Sequence, residues 1–317
     1  MRFLFSVLLC LSCFAAHAWP TKAVRIVVAY PPGGGIDVMS RQIAEKLTPA
    51  WGQTVLVENR PGANTIVATD AVARSAPDGH TILMTTDATF SINPHLYAKL
   101  PYDAQRDFIP VTMLVLLHQF LVAHPSLPAN SLQELIALAK AKPGMINYAS
   151  YGSGSQPHLA GEMLKNKAGI NLVHVPYKGI SLAVPAVIAG EVQLTFAGIA
   201  TSSPQLRAGR IKAIAIGGPS RSPLFPEVPT FTELGYPEVE THAWFGFFVP
   251  AGSPPEAVAR IHRDTKKILD EPDFRQKQLI EKGYEVVGNS PSEFVNYLKK
   301  DAESRGRAVR ISGAKAE

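Results

Sequence analysis

The feature that most constrains this chain is a repeated change of hydrophobic period between residues 24 and 216. Short runs rich in Val, Ile and Leu, of strand length, alternate with longer stretches whose apolar residues recur at helical spacing. A parallel strand reaches its neighbour only through a crossover connection, usually a helix. The alternation therefore predicts an α/β fold with parallel-type sheets. A first unit reads as strand 24–30, helix 36–48, strand 54–58, helix 65–74 and strand 81–85. A long apolar stretch, 111–123, leads into a second unit: a helix from the capping box Ser131-Leu-Gln-Glu134 to about Lys140, strand 146–150, helix 156–167, strand 172–175, helix 181–189, strand 192–196, a short helix from about Ser203, and strand 211–216. Residues 219–237 are dense in Pro and Gly and read as a long connection, and 244–249 as a last apolar strand. Ser253-Pro-Pro-Glu256 and Ser290-Pro-Ser-Glu293 read as two further capping boxes opening C-terminal helices.

Two such units predict two lobes, with the chain crossing between them near 117–121 and again near 243–246. The expected organisation is residues 1–18 as a signal peptide, 19–118 as the first part of lobe I, 119–244 as lobe II, and 245–317 as the return to lobe I with its helices. A single elongated sheet is the alternative that periodicity leaves open.

The N-terminus reads as a secretory signal: Arg2, an apolar stretch from Phe3 to Phe14, then Ala16-His17-Ala18 before Trp19. Cleavage after Ala18 implies export to the periplasm. Both cysteines, Cys10 and Cys13, fall in that segment, so the expected mature chain has no thiol chemistry or disulfide. Hydrophobic residues make up 46% of the chain and charged residues 18%, which excludes disorder. The net charge of +5 is scattered; its densest part, Lys299 to Arg310, reads as a solvated helix face rather than a nucleic-acid patch.

Ligands of open parallel sheets sit beyond the carboxyl ends of the strands, so three strand-to-helix loops are the candidate site. In the first, Tyr30-Pro-Pro-Gly-Gly-Gly-Ile-Asp37, Gly33, Gly34 and Gly35 let backbone amides approach a ligand at a helix start, with Asp37 in the first turn. A tight turn that merely requires glycine is the competing explanation. The second, Thr85-Thr-Asp-Ala-Thr89, offers Thr86 and Asp87. In the third, Ser150, Gly152, Ser153, Gly154 and Ser155 converge on another helix start, with His158 one turn in as a structural hydrogen-bonding group. None of the three holds Lys or Arg, so an anion there would rest on helix dipoles, amides and hydroxyls. Enzyme signatures are missing: no P-loop, no complete G-x-G-x-x-G, no G-x-S-x-G, no H-E-x-x-H, and no paired metal spacing among the nine histidines. The reading is of a binding protein, not an enzyme, with no cofactor and no metal.

These motifs occur in a recognisable order. Besides the loops at 30–37 and 149–155, Val57-Glu-Asn-Arg-Pro-Gly-Ala63, Pro77-Asp-Gly-His-Thr81, His174-Val-Pro-Tyr-Lys-Gly179 and Trp244-Phe-Gly246 stand in sequence. Together they make the chain resemble the Bug/TctC family, the extracytoplasmic substrate-binding components of tripartite tricarboxylate transporters, over nearly its whole mature length. The resemblance implies a two-lobed periplasmic-binding-protein fold of the Venus-flytrap type with a ligand cleft between the lobes. It implies a carboxylate ligand held by amides, hydroxyls and ordered water, and membrane permease subunits as partners of a monomeric receptor. A ligand-sensing partner of a two-component system, or a secreted enzyme acting on small acids, are the alternatives. The chain departs from the family pattern at Ala197, where an Asp is common, and at Gly35-Ile36. The missing acid disfavours an amino group on the ligand and favours dicarboxylates or aromatic acids.

Overall fold

A computed structural model describes residues 19–218, 220–239 and 241–314. The expected signal segment, its cysteines and its cleavage site lie outside the described residues.

The chain runs β1 (Val24–Val28), α1 (Gly35–Trp51), β2 (Val55–Asn59), α2 (Ile66–Ala73), β3 (Thr81–Thr86), α3 (Asn93–Leu96), β4 (Phe108–Ala123), α4 (Leu132–Ala141), β5 (Asn147–Ser150) and α5 (Gln156–Ala168). It continues through β6 (Val173–Pro176), α6 (Ile180–Ile188), β7 (Leu194–Gly198), α7 (Ile199–Arg207), β8 (Lys212–Ile216), β9 (His242–Pro250), α8 (Pro255–Asp270), α9 (Pro272–Phe274), β10 (Tyr284–Val286) and α10 (Pro291–Ser312). Strands β1, β2 and β3 pair in parallel, as do β5, β6 and β7, so both βαβ units of the sequence are present. Between them run two long strands, β4 and β9, antiparallel to each other. β9 is antiparallel to both β3 and β4, and β10 is antiparallel to β4.

β4 belongs to both lobes, because its sixteen residues outrun either sheet alone. From Phe108 to His118 it pairs with β9, and from Gln119 to Ala123 with β7. The change of partner falls at one residue. Gln119 N–H donates to Thr241 O at 2.8 Å, and Gln119 O accepts from Gly217 N–H at 3.0 Å and from the Thr241 hydroxyl at 2.8 Å. The return of the chain lies at Thr241–His242, just ahead of the segment 243–246. One core packs α1 and α8 against β1, β3, β4 and β9 around Ile26, Ile43, Phe247 and Ile261. The other lobe buries Leu121, Leu135, Tyr148, Leu164 and Phe196 on one side of its sheet and Phe120, Val184 and Val187 on the other.

The caps correct part of the sequence reading. The Ser290 box is complete: its hydroxyl accepts from Glu293 N–H, and the Glu293 carboxylate accepts from Ser290 N–H. At α4 Ser131 caps Glu134 N–H, but the Glu134 carboxylate takes the Asn130 N–H instead of closing the box. Ser253 does not cap at all, since Pro254 occupies the N-cap position and α8 starts at Pro255. The short helix expected from Ser203 starts earlier, at Ile199, directly after β7.

Candidate functional site

The strands of both lobes point their carboxyl ends at one cavity of about 60 Å³, room for a handful of waters at ~10–15 Å³ each. Lobe I contributes Tyr30, Gly34 and Gly35 from the β1–α1 junction and Thr86 from the end of β3. Lobe II contributes Tyr151, Ile180 and Ser181 at the start of α6, and Gly198, Ala200 and Thr201 at the start of α7. Leu117, Gln119 and Ala243 on the crossing strands form the floor, with Phe245 and Tyr284 beside them. No Lys, Arg, Asp or Glu stands among the described residues of this lining.

A belt of side chains joins the two lobes across the cavity. The Tyr30 and Thr86 hydroxyls share a hydrogen bond of 2.9 Å. The Tyr30 ring meets Tyr151 edge-on, with centroids 6.0 Å apart and planes at 85°. Gln119 Nε2 then donates to the Tyr151 hydroxyl at 3.0 Å. Burial, in a site with nearby Asp87, holds both phenols well above their ordinary pKa, so they stay neutral hydrogen-bonding groups. Backbone comes close across the cleft wherever glycine permits. A Cβ on Gly34 would sit 3.3 Å from Ile180 Cγ2, and one on Gly179 would sit 3.0 Å from Pro31.

The first loop is held open by Asp37, which does not itself reach the cavity. Its buried carboxylate accepts from Gly33 N–H at 2.9 Å, from Asn59 Nδ2 at 2.9 Å and from the Arg41 guanidinium at 3.0 and 3.2 Å. Burial alone would raise its pKa, but these donors outweigh burial and hold it below the usual carboxylate value. Gly33, at φ +88°, supplies a turn that a side chain resists. Gly34 is the N-cap of α1. The clip leaves the Gly34–Gly35 backbone facing the cavity, at the positive end of a seventeen-residue helix.

The third loop is arranged differently. Ser150 Oγ hydrogen-bonds His174 Nε2 at 2.7 Å and accepts from Gly152 N–H at 3.2 Å. Ser155 donates both its N–H and its hydroxyl to Gly152 O, at 3.0 and 2.6 Å. Gly154 N–H donates to His158 Nδ1 at 2.9 Å, the structural role expected of that histidine. These polar groups are spent within the loop, at the start of α5 and on His174, and Ser153 is engaged as well. The structure does not bring Ser150, Gly152, Ser153, Gly154 or Ser155 to the cavity wall; the loop presents Tyr151 instead.

Asp87 also stays behind the wall. It is fully buried 3.6 Å from Arg305, which donates to His242 O at 2.7 Å and lies 3.5 Å from Asp301. Burial raises the Asp87 pKa to about 7, with Arg305 pulling it back and Asp301 pushing it up. Ala197 packs into the apolar core of lobe II with no exposure; its neighbour Gly198 reaches the cavity. Trp244 is a core residue, its indole N–H donating to Asp301 at 2.9 Å.

The residues that sequence reasoning passed over are Gln119, Tyr151 and the starts of α6 and α7. Two signals were there to find them. Gly179 and Gly198 each stand between a strand and a helix, as Gly34 does. Gln119 is an amide inside an apolar run.

The model of the tripartite tricarboxylate transporter family receptor, TctC, matches residues 39–313. Among solved structures, R. palustris Rpa4515 with adipate is 31% identical, with a TM-score of 0.90 over 94% of this chain and 99% of its own. The periplasmic binding protein BugD is 31% identical, at 0.88 over 94% and 100%. MatC from Rhodopseudomonas palustris, with bound malate, is 30% identical, at 0.87 over 92% and 100%.

Proposed function

This chain belongs to the tripartite tricarboxylate transporter receptor family, TctC, and on that footing we propose that it captures a small carboxylate solute between its lobes in the periplasm and delivers it to a membrane permease. The family and the fold are those of solute-binding proteins and not of enzymes. The observation that carries the reading is the convergence of three helix starts, those of α1, α6 and α7, on one cavity with no charged side chain among the described residues of its lining. Each start favours an anion by about 0.3–1 kcal/mol when exposed and up to ~2 when partly buried. Hydrogen bonds to a charged acceptor add roughly 1.5–3 kcal/mol each. An acid can thus be held without a salt bridge, by Gly34 and Gly35 backbone and the Tyr30 and Thr86 hydroxyls on one side, and by Ser181, Thr201 and Tyr151 on the other. The adipate and malate of the related structures fit this chemistry. Entry and release then proceed by parting of the lobes about Gln119 and Thr241, where the chain passes between them, a hinge motion.

Isothermal titration calorimetry of the purified protein against mono-, di- and tricarboxylates tests the reading. At least one acid should bind at one per chain. Gly34→Val, which pushes methyl groups toward Ile180 and into the cavity, should weaken that binding by about tenfold or more, some 1.4 kcal/mol, with an unchanged melting temperature. Binding of no carboxylate, or unaltered affinity in the variant, would reject it.

A further inference from the structure

Gln119, on the cavity floor, has only one of its two side-chain polar atoms hydrogen-bonded. It lies in β4 beside the fully buried Phe120 and Leu121 and is itself 2% exposed. Its backbone is fastened on both sides, to Thr241 and Gly217, at the point where the chain passes between lobes. Its Nε2 is committed to the Tyr151 hydroxyl, while its Oε1 is buried with no hydrogen-bond partner. A buried acceptor left unpaired is costly, and native proteins rarely leave one without a reason.

Resting on the carboxylate reading above, we propose that Gln119 Oε1 receives a hydrogen-bond donor from the ligand, so that the preferred solute is a hydroxy-substituted carboxylate rather than its plain counterpart. A carboxylate oxygen placed there would set acceptor against acceptor. An ammonium group would need an anion beside it, and the described lining holds no Asp or Glu. A neutral hydroxyl satisfies the amide oxygen and needs no counter-charge. Because Gln119 sits on the crossing strand, the contact forms as the lobes close around the ligand and favours the closed state by its own differential strength.

The test compares matched pairs by calorimetry: succinate with each enantiomer of malate, glutarate with 2-hydroxyglutarate, and adipate with 2-hydroxyadipate. The wild-type protein should bind the hydroxylated member of at least one pair about tenfold more tightly. Gln119→Met, of similar volume but without the amide, should bring that ratio close to one, the hydroxylated acid losing more affinity than its plain counterpart, which feels only the lost support of Tyr151. Equal affinity within every pair that binds would overturn this inference and leave the carboxylate reading standing; binding of none of these acids, nor of any other carboxylate, would remove both. Equal weakening of both members by Gln119→Met would place Nε2, not Oε1, against the ligand and also overturn it. The wild-type comparison decides the matter even if the variant folds poorly.

Discussion

His158 and His174 stack with centroids 4.0 Å apart and planes within 9°, and the buried His174 makes the folded state sensitive to acid. Burial, then the nearby His158 and Lys165, lowers the His174 pKa to about 3 from an ordinary 6.5. Folding therefore favours the neutral ring. The stability it contributes is complete above pH 6.5 and is lost progressively as pH falls from 6.5 toward 3. His242, lowered to about 2 mainly by burial, acts in the same direction. Asp87 opposes them: with its pKa raised to about 7, its contribution is present at low pH and lost as pH rises from about 4 through 7. His174→Gln keeps a hydrogen-bonding group for Ser150 but cannot titrate. Its melting temperature should fall less than the wild type's between pH 7 and pH 5; parallel curves for the two proteins would assign the acid sensitivity elsewhere.

Two serines three residues ahead of a glutamate have opposite fates at the scale of the helix. Ser290 caps α10 with both reciprocal bonds, so Ser290→Ala should cost about 1 kcal/mol. Ser253 is nearly buried, its hydroxyl has no partner, and Pro254 holds the cap position of α8. Ser253→Ala should be neutral or slightly stabilising, because it removes an unsatisfied polar atom. Urea unfolding of the two variants checks the contrast, and a Ser253→Ala loss matching that of Ser290→Ala would contradict it. The two motifs look alike in sequence because the spacing is the same. They differ because Pro at both 254 and 255 moves the first helical turn one residue along.

Across the whole molecule, the lobes are joined by more than the two crossing strands. The backbone at Gly154 lies against Asn64 and Leu96 of lobe I, and α10 spans the junction, with Phe294 against Trp244 and Phe248 and Val309 against Leu159 and Ile92. Leu96 thus meets Gly154 across the two lobes. Leu96→Asp should therefore shift the ligand-free protein toward an open form, with a larger radius of gyration by small-angle scattering and weaker ligand binding. The melting temperature should stay within a few degrees. An unchanged radius with unchanged affinity would show that this contact does not hold the lobes.

The order of strands and helices was legible in the sequence, because hydrophobic period, glycine turns and capping residues depend on a few neighbouring residues. So was the backbone of the first loop, where Gly33, Gly34 and Asp37 act on one another within five residues. The wall of the cavity was not. It draws on positions from Tyr30 to Tyr284, and whether a serine at a helix start faces a ligand or its own loop depends on which partner lies nearer. Ser150 and Ser155 found His174 and Gly152 first, while Ser181 and Thr201 did not. Only the tertiary structure decides such competition, because hydrogen bonds are settled by distances between segments far apart in the chain.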